Sequence, residues 1–313
     1  MIAGVALWLA TGVPALALPS KTPSRALPRV ALLRSSKAAP IEEAARTIVE
    51  SLQRQHPRVE VLSYLLPAAP ERTADTFAQI AQAQPDLLLT LGTHATAAAL
   101  ANPLDGVPLV YSMVLYPQQA GFLRSDITGI SLEVPPEEQF RLLRRLLPRA
   151  RTVGVLYDPA QTGLVVEQAR RAAERFGFRL AAHAVSGPPE ALRAVDQLVA
   201  RVDVLWAVPD SSVFTPLTTS HIQVVALRRR VPVLGLSPSH ARTGALAAFA
   251  LDYADVGRQT TDLVRRVLAR GAATGIPVAR PRRVDVIVNA RTARRLGIPL
   301  DPAVAKEATE VVR

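Results

Sequence analysis

No cysteine occurs among the 313 residues. That absence excludes disulfides, thiolate nucleophiles, zinc–cysteine centres and a lipid-modified cysteine. Lysine is nearly missing as well, with Lys21, Lys37 and Lys306 set against a total of 37 Lys+Arg. The formal net charge of +11 is therefore an arginine charge. It is spread over helix faces, as at Arg141, Arg144 and Arg145, or in the run Arg228 to Arg230. No basic segment is interleaved with aromatics and no helix-turn-helix pattern occurs, so a solvated arginine surface is expected and a nucleic-acid partner is not. The histidines, His56, His94, His183, His221 and His240, never fall at metal-ligand spacing. No zincin, Walker A or nucleophile-elbow pattern is present, so no cofactor, no metal and no catalytic residues are expected. Long apolar runs are missing too, apart from one at the start.

That one run, residues 2–18, carries no charge and ends near Ala15-Leu16-Ala17, the small-x-small form of a signal peptidase site. Cleavage is expected after Ala17, making 1–17 a signal peptide and 18–27 a polar, proline-rich linker; the alternative is a retained membrane anchor. The predicted destination is the periplasm.

What remains is rich in apolar residues, 49% of the chain, and long enough for two cores. Short apolar runs alternate with amphipathic stretches. Strands are expected at 29–33, 58–64, 86–91, 108–114 and 127–131, with helices between them. The alternation restarts with strands at 152–156, 179–184, 203–208, 231–236, 245–250 and 284–288. Thr215-Pro216 reads as an N-cap followed by a first-position proline. Strands separated by helices imply parallel sheets with right-handed crossovers, hence an α/β fold of two doubly wound lobes joined by a hinge.

Ligands of open parallel sheets bind beyond the carboxyl ends of the strands. Those positions hold Ser35 and Ser36, Thr93 and His94, and Ser112 and Met113 in the first run. The second run has Tyr157 and Asp158, Asp210 with Ser211 and Ser212, and Ser237. Hydroxyls and helix N-terminal amides suit a carboxylate, and an aspartate in a closed cleft suits an ammonium group. Together they suit an amino-acid-like zwitterion, although the same residues serve as ordinary caps and turns. Asp210 is expected to present an unpaired carboxylate that a ligand ammonium would neutralise.

Several segments follow one another as in a known family: Val231-Pro232-Val233-Leu234-Gly235, Gly244-Ala245-Leu246-Ala247, Leu251-Asp252-Tyr253 and Gly257-Arg258-Gln259-Thr260. Ile276-Pro277, Val286-Ile287-Val288-Asn289 and, upstream, Val153-Gly154-Val155-Leu156-Tyr157 and Pro209-Asp210 continue the pattern. Residues 28–298 thereby resemble the substrate-binding proteins of ABC transporters that include tryptophan/tyrosine-type uptake proteins. The resemblance implies a type I periplasmic binding protein fold with three crossings between lobes. Lobe 1 would be 28–132 plus 251–272, and lobe 2 would be 133–250 plus 273–313. It also implies a small-molecule ligand, a membrane permease as partner, and no enzymatic activity; the protein is expected to be a monomer. The alternatives are a sensory input protein on the same fold, for a kinase or chemoreceptor, and an α/β hydrolase.

Overall fold

The computed structural model describes residues 27–313. The expected signal peptide and nearly all of the linker lie outside the described residues. The first five strands are β1 (Arg29–Arg34), β2 (Glu60–Leu65), β3 (Leu87–Leu91), β4 (Leu109–Val114) and β5 (Ile127–Ser131). They form one parallel sheet in the order β2-β1-β3-β4-β5. Helices α1 (Ala39–Gln55), α2 (Thr73–Gln82) and α3 (Thr93–Ala101) connect them. The central strands β1, β3 and β4 are buried on both faces, and so are apolar almost throughout.

The second sheet takes β6 (Thr152–Tyr157), β7 (Arg179–Ala184), β8 (Val204–Trp206), β9 (Val233–Gly235), β10 (Ala247–Leu251), β11 (Val284–Asn289) and β12 (Glu310–Val312). Their order is β12-β11-β10-β9-β8-β6-β7. Its helices are α4 (Pro136–Leu146), α5 (Pro159–Arg175), α6 (Pro188–Val199), α7 (Pro216–Arg228), α8 (Pro238–Thr243), α10 (Ala290–Leu296) and α11 (Pro302–Glu307). Thr215 caps α7 through a reciprocal capping box with Thr218, and Pro216 takes the first turn.

This sheet is not wholly parallel, because β10 and β11 pair antiparallel. Connectivity forces the exception. The chain leaves the second lobe from the cleft end of β10, forms α9 (Tyr253–Arg270) on the first lobe, and re-enters at the same cleft end. A strand that starts where its neighbour stopped must run the other way.

Helix α9 buries Val256, Leu263, Val264 and Val267 with Ile48 and Leu52 of α1 and Leu89 of β3. Close approach to α1 needs Gly257, since a Cβ there would lie 2.9 Å from the Ala44 carbonyl oxygen. The third crossing falls later than expected. Ala273 and Ile276 belong to the first lobe's core, and Ala279 pairs with Ile130 beside β5. Residues 273–279 are therefore part of the first lobe, and the chain crosses at 280–283.

Candidate functional site

Both sheets direct the carboxyl ends of their parallel strands toward the other lobe, so the facing loops are those that follow the strands. On the first lobe they form a shelf built mostly of backbone. Gly92 caps α3 at φ 94°, donates its N–H to the Ser112 carbonyl at 2.9 Å, and abuts Ser35, whose hydroxyl fills the space that a Cβ on Gly92 would need. Thr93 is half-buried at the start of α3 and His94 is exposed beside it. Ser36 is exposed and accepts from the Ala38 N–H at 3.3 Å. The shelf thus offers hydroxyls and helix N-terminal amides, which favour an anion.

Ser112 and Met113 do not join it. Ser112 is fully buried, its hydroxyl 2.7 Å from Thr260 of α9. Met113 packs in the core shared with α9. Alternation puts Val110 and Ser112 on the α9 face. A register shift after Tyr111, with Met113 at φ 59°, sends the next side chain inward as well. Closeness to a strand end does not reveal the face, and here it is the core face.

The second lobe's side is a knot of side chains around Asp210, which is 1% exposed. Oδ2 accepts from the Asp158 N–H at 2.8 Å and the Thr162 hydroxyl at 2.6 Å. Oδ1 accepts from the Ser212 N–H at 3.1 Å, the Ser212 hydroxyl at 2.7 Å and the Val213 N–H at 3.2 Å. A carboxylate has about four lone-pair sites, so this one is full. The expectation of an unpaired Asp210 is corrected: donors from its own loops occupy both of its oxygens. Asp158 is less occupied. Its Oδ1 caps α5 by accepting from Ala160 N–H at 2.9 Å, and its Oδ2 lies 3.0 Å from the Ser212 hydroxyl. That hydroxyl has one proton, which goes either to Asp158 or to Asp210. Ser211 is exposed and binds the Gln161 side-chain oxygen through both its N–H, at 3.1 Å, and its hydroxyl, at 2.7 Å.

Thr162 reaches Asp210 because α5 is interrupted there, at φ −128° and ψ 16°. Tyr157, at the end of β6, is half-buried against the second lobe's core. Ser237 caps α8, accepting from His240 N–H at 3.4 Å. The His240 ring turns back so that Nδ1 accepts from Leu236 N–H at 3.2 Å. Burial lowers the pKa of that imidazole and keeps it the neutral acceptor the bond requires.

Contact between the lobes comes from the loop after β4. Tyr116, at φ 49°, leaves the first lobe and packs against the second lobe's core. Burial, then the carboxylates of Glu133 and Asp210, push its hydroxyl pKa up, so it stays protonated. Gln119 donates to the Gln161 carbonyl and, at 3.3 Å, to that of Ala160. Gln168 donates to the Gln118 side-chain oxygen at 3.2 Å. The signal for Tyr116 was present: an aromatic followed by Pro117 just past a buried strand, with a polar pair at 118–119. Glu133 sits on the first crossing. Burial raises its pKa, opposed by Arg280 on the third crossing and by the Ser131 hydroxyl. Among the described residues no cluster of three or more His, Asp or Glu could hold a metal ion, and no helix is long and apolar enough to cross a membrane.

The family model described as ABC transporter substrate binding protein matches residues 66–312. A tyrosine-binding protein of Clostridioides difficile is 24% identical over 219 residues, which are 67% of this chain and 63% of that protein. The chain thus spans less than two thirds of that relative. Among solved structures, a ligand-free, open substrate-binding protein with adhesive properties from Clostridium difficile aligns at TM-score 0.77 and 20% identity, over 91% of this chain and 99% of that one. An ABC domain from Streptococcus pneumonia in complex with L-Trp aligns at TM-score 0.71 and 20% identity, over 91% of this chain and all of that one. At these identities the structural matches speak for the fold: two lobes of the type I binding-protein kind.

Proposed function

Because the chain belongs to the ABC transporter substrate-binding protein family, whose members bind solutes and are not enzymes, we propose that it is the periplasmic binding component of an uptake transporter for an amino-acid-like ligand. The observation that carries this reading is the pairing of unlike surfaces across the lobes. One is an amide-and-hydroxyl shelf at Ser35, Gly92 and Thr93, and the other a loop pair bearing Asp158. In this reading the shelf holds the ligand carboxylate and the less occupied Asp158 meets its ammonium, while Asp210 sets the position of the loop that carries Asp158. The relatives described as binding tyrosine and L-Trp make those two amino acids the first to try. Ligand binding favours the closed arrangement of the lobes, a hinge equilibrium with no bond chemistry.

A permease partner is supported by the rim of the cleft. Leu115 after β4, Leu164 early in α5 and Leu217 early in α7 are exposed large apolar side chains, Leu217 at 72%, and all three stand at the cleft ends of their elements. Exposed large apolar side chains facing the partner are common material of a protein interface.

Calorimetry with L-tyrosine and L-tryptophan, after a thermal-shift screen over the common amino acids, tests the reading. Asp158→Asn should weaken binding by roughly 2–5 kcal/mol. Affinity unchanged in Asp158→Asn would remove the proposed ammonium site, and no thermal shift with any amino acid would remove the ligand class.

A further inference from the structure

Strands β6, β8 and β9 point their carboxyl ends at the cleft, so α5, α7 and α8 after them return the chain to the far end of the second lobe. Strand β11, running opposite, finishes there too. Two groups of arginine emerge at that end: Arg228, Arg229 and Arg230 where α7 stops, and Arg291, Arg294 and Arg295 on α10. Helices α7 and α10 both hydrogen-bond to the end of α8. Thr292 of α10 donates to the Gly244 carbonyl at 3.2 Å, and the adjoining Thr243 donates to Gln223 of α7 at 2.9 Å. All six arginines are exposed. Among the described residues one of them has a carboxylate within 4.0 Å, Arg229 with Asp196 at 3.9 Å. The nearby Glu310 is engaged by Arg242 at 2.7 Å.

The ordinary reason for a cation at a helix C-terminus is the helix dipole. It accounts for Arg228 and for Arg294 and Arg295, each in a last turn. It does not account for Arg291, in the first turn of α10 at the positive end of the dipole. Nor does it account for Arg230, at φ 58°, a left-handed conformation that glycine adopts without penalty and arginine does not. On the first lobe, by contrast, Arg46 and Arg54 of α1 alternate with Glu43 and Glu50, and Arg29 is bound to Glu60 at 2.6 Å.

We propose that this arginine-rich pole of the second lobe is a docking surface for anionic lipid headgroups. The arginines are distributed over a loop and a helix surface, with no aromatic among them to stack on a base. Such an arrangement matches a field of separate, mobile headgroup anions better than a nucleic-acid strand. Binding would hold the protein against an anionic bilayer by electrostatic attraction that falls away within a Debye length and weakens with salt.

The test is sedimentation of the full chain with vesicles of phosphatidylcholine alone or with about one third phosphatidylglycerol, at low and high salt. The triple variant Arg228→Gln, Arg230→Gln, Arg291→Gln is compared with a charge-matched control, Arg46→Gln, Arg54→Gln, Arg58→Gln. Each arginine near an anionic surface contributes about fivefold in partitioning, so the pole triple should lose on the order of 100-fold. The control should lose far less, and an unchanged melting temperature in both variants shows that the fold is retained. Equal losses in the two triples would mean that only net charge matters. Undiminished binding to phosphatidylcholine alone, or binding to duplex DNA that outcompetes the anionic vesicles at the same salt, would also overturn the proposal.

Discussion

The two halves of the cleft are built differently. On the first lobe the polar surface is backbone: a glycine in left-handed conformation, a serine pressed against it, and the open N-terminus of α3. On the second lobe it is a closed set of side chains gathered on Asp210, a charge already satisfied within its own lobe. A carboxylate after a strand therefore has two fates. Where the neighbouring loops bring enough donors it becomes a structural centre, and where they do not it stays available. Counting donors, not noting the acid, tells the two apart.

The comparison can be broken first at Asp210. Asp210→Ala leaves four donors without an acceptor, the Ser212 hydroxyl still having Asp158, and should lower unfolding stability by about 3–5 kcal/mol, read from urea denaturation of the ligand-free protein. A loss below about 0.5 kcal/mol, with ligand affinity alone affected, would return Asp210 to the role of ligand contact.

On the backbone side the corresponding change is Gly92→Ala. Left-handed φ and overlap with Ser35 should together cost about 2–3 kcal/mol. Adding Ser35→Gly should recover the overlap and leave the conformational part. If the double variant is no better than Gly92→Ala alone, the packing against Ser35 is not what demands glycine.

Between the halves lies Tyr116. Tyr116→Ala should destabilise by about 1–2 kcal/mol and enlarge the radius of gyration measured by solution scattering, because it removes an apolar contact that spans the lobes. Tyr116→Phe keeps the ring and should do neither. The same scattering curve for wild type and Tyr116→Ala would show that the tyrosine does not hold the lobes together.

The smallest effect expected is that of His240. Burial depresses its folded pKa, so the unfolded chain, with a histidine pKa of about 6.5, takes up the proton first. Its stabilising share is therefore complete above that value and declines as pH falls through it toward the folded pKa. Melting temperatures at pH 7.5 and 5.5 should differ more in wild type than in His240→Gln. An equal pH dependence in the two chains would assign the acid sensitivity elsewhere.

Much of this architecture was legible along the chain. The alternation of apolar runs and amphipathic helices marks both doubly wound sheets, and the spacing of Val256, Leu263 and Val267 marks the buried face of α9. Thr215-Pro216 marks the start of α7 and Gly92 the turn into α3. These features are local, because side-chain periodicity, a capping hydroxyl and a left-handed turn each act within a few residues. Three helices and strands were less legible: β12 and α11 lie in the final segment with little periodicity, and α8 is only six residues long.

The amino-acid order by itself determined the fold class and the family, and the resemblance to that family implied the placing of α9 on the first lobe. Tertiary structure alone decided which residues of the cleft-facing loops are spoken for. Ser112 meets Thr260 across 148 positions of chain, Thr162 meets Asp210 across 48, and Gln119 meets Gln161 across 42. Whether a hydroxyl or carboxylate is free depends on donors and acceptors brought to it from distant segments. A hydrogen bond is satisfied by position in space, on which the spacing of residues in the chain places almost no constraint.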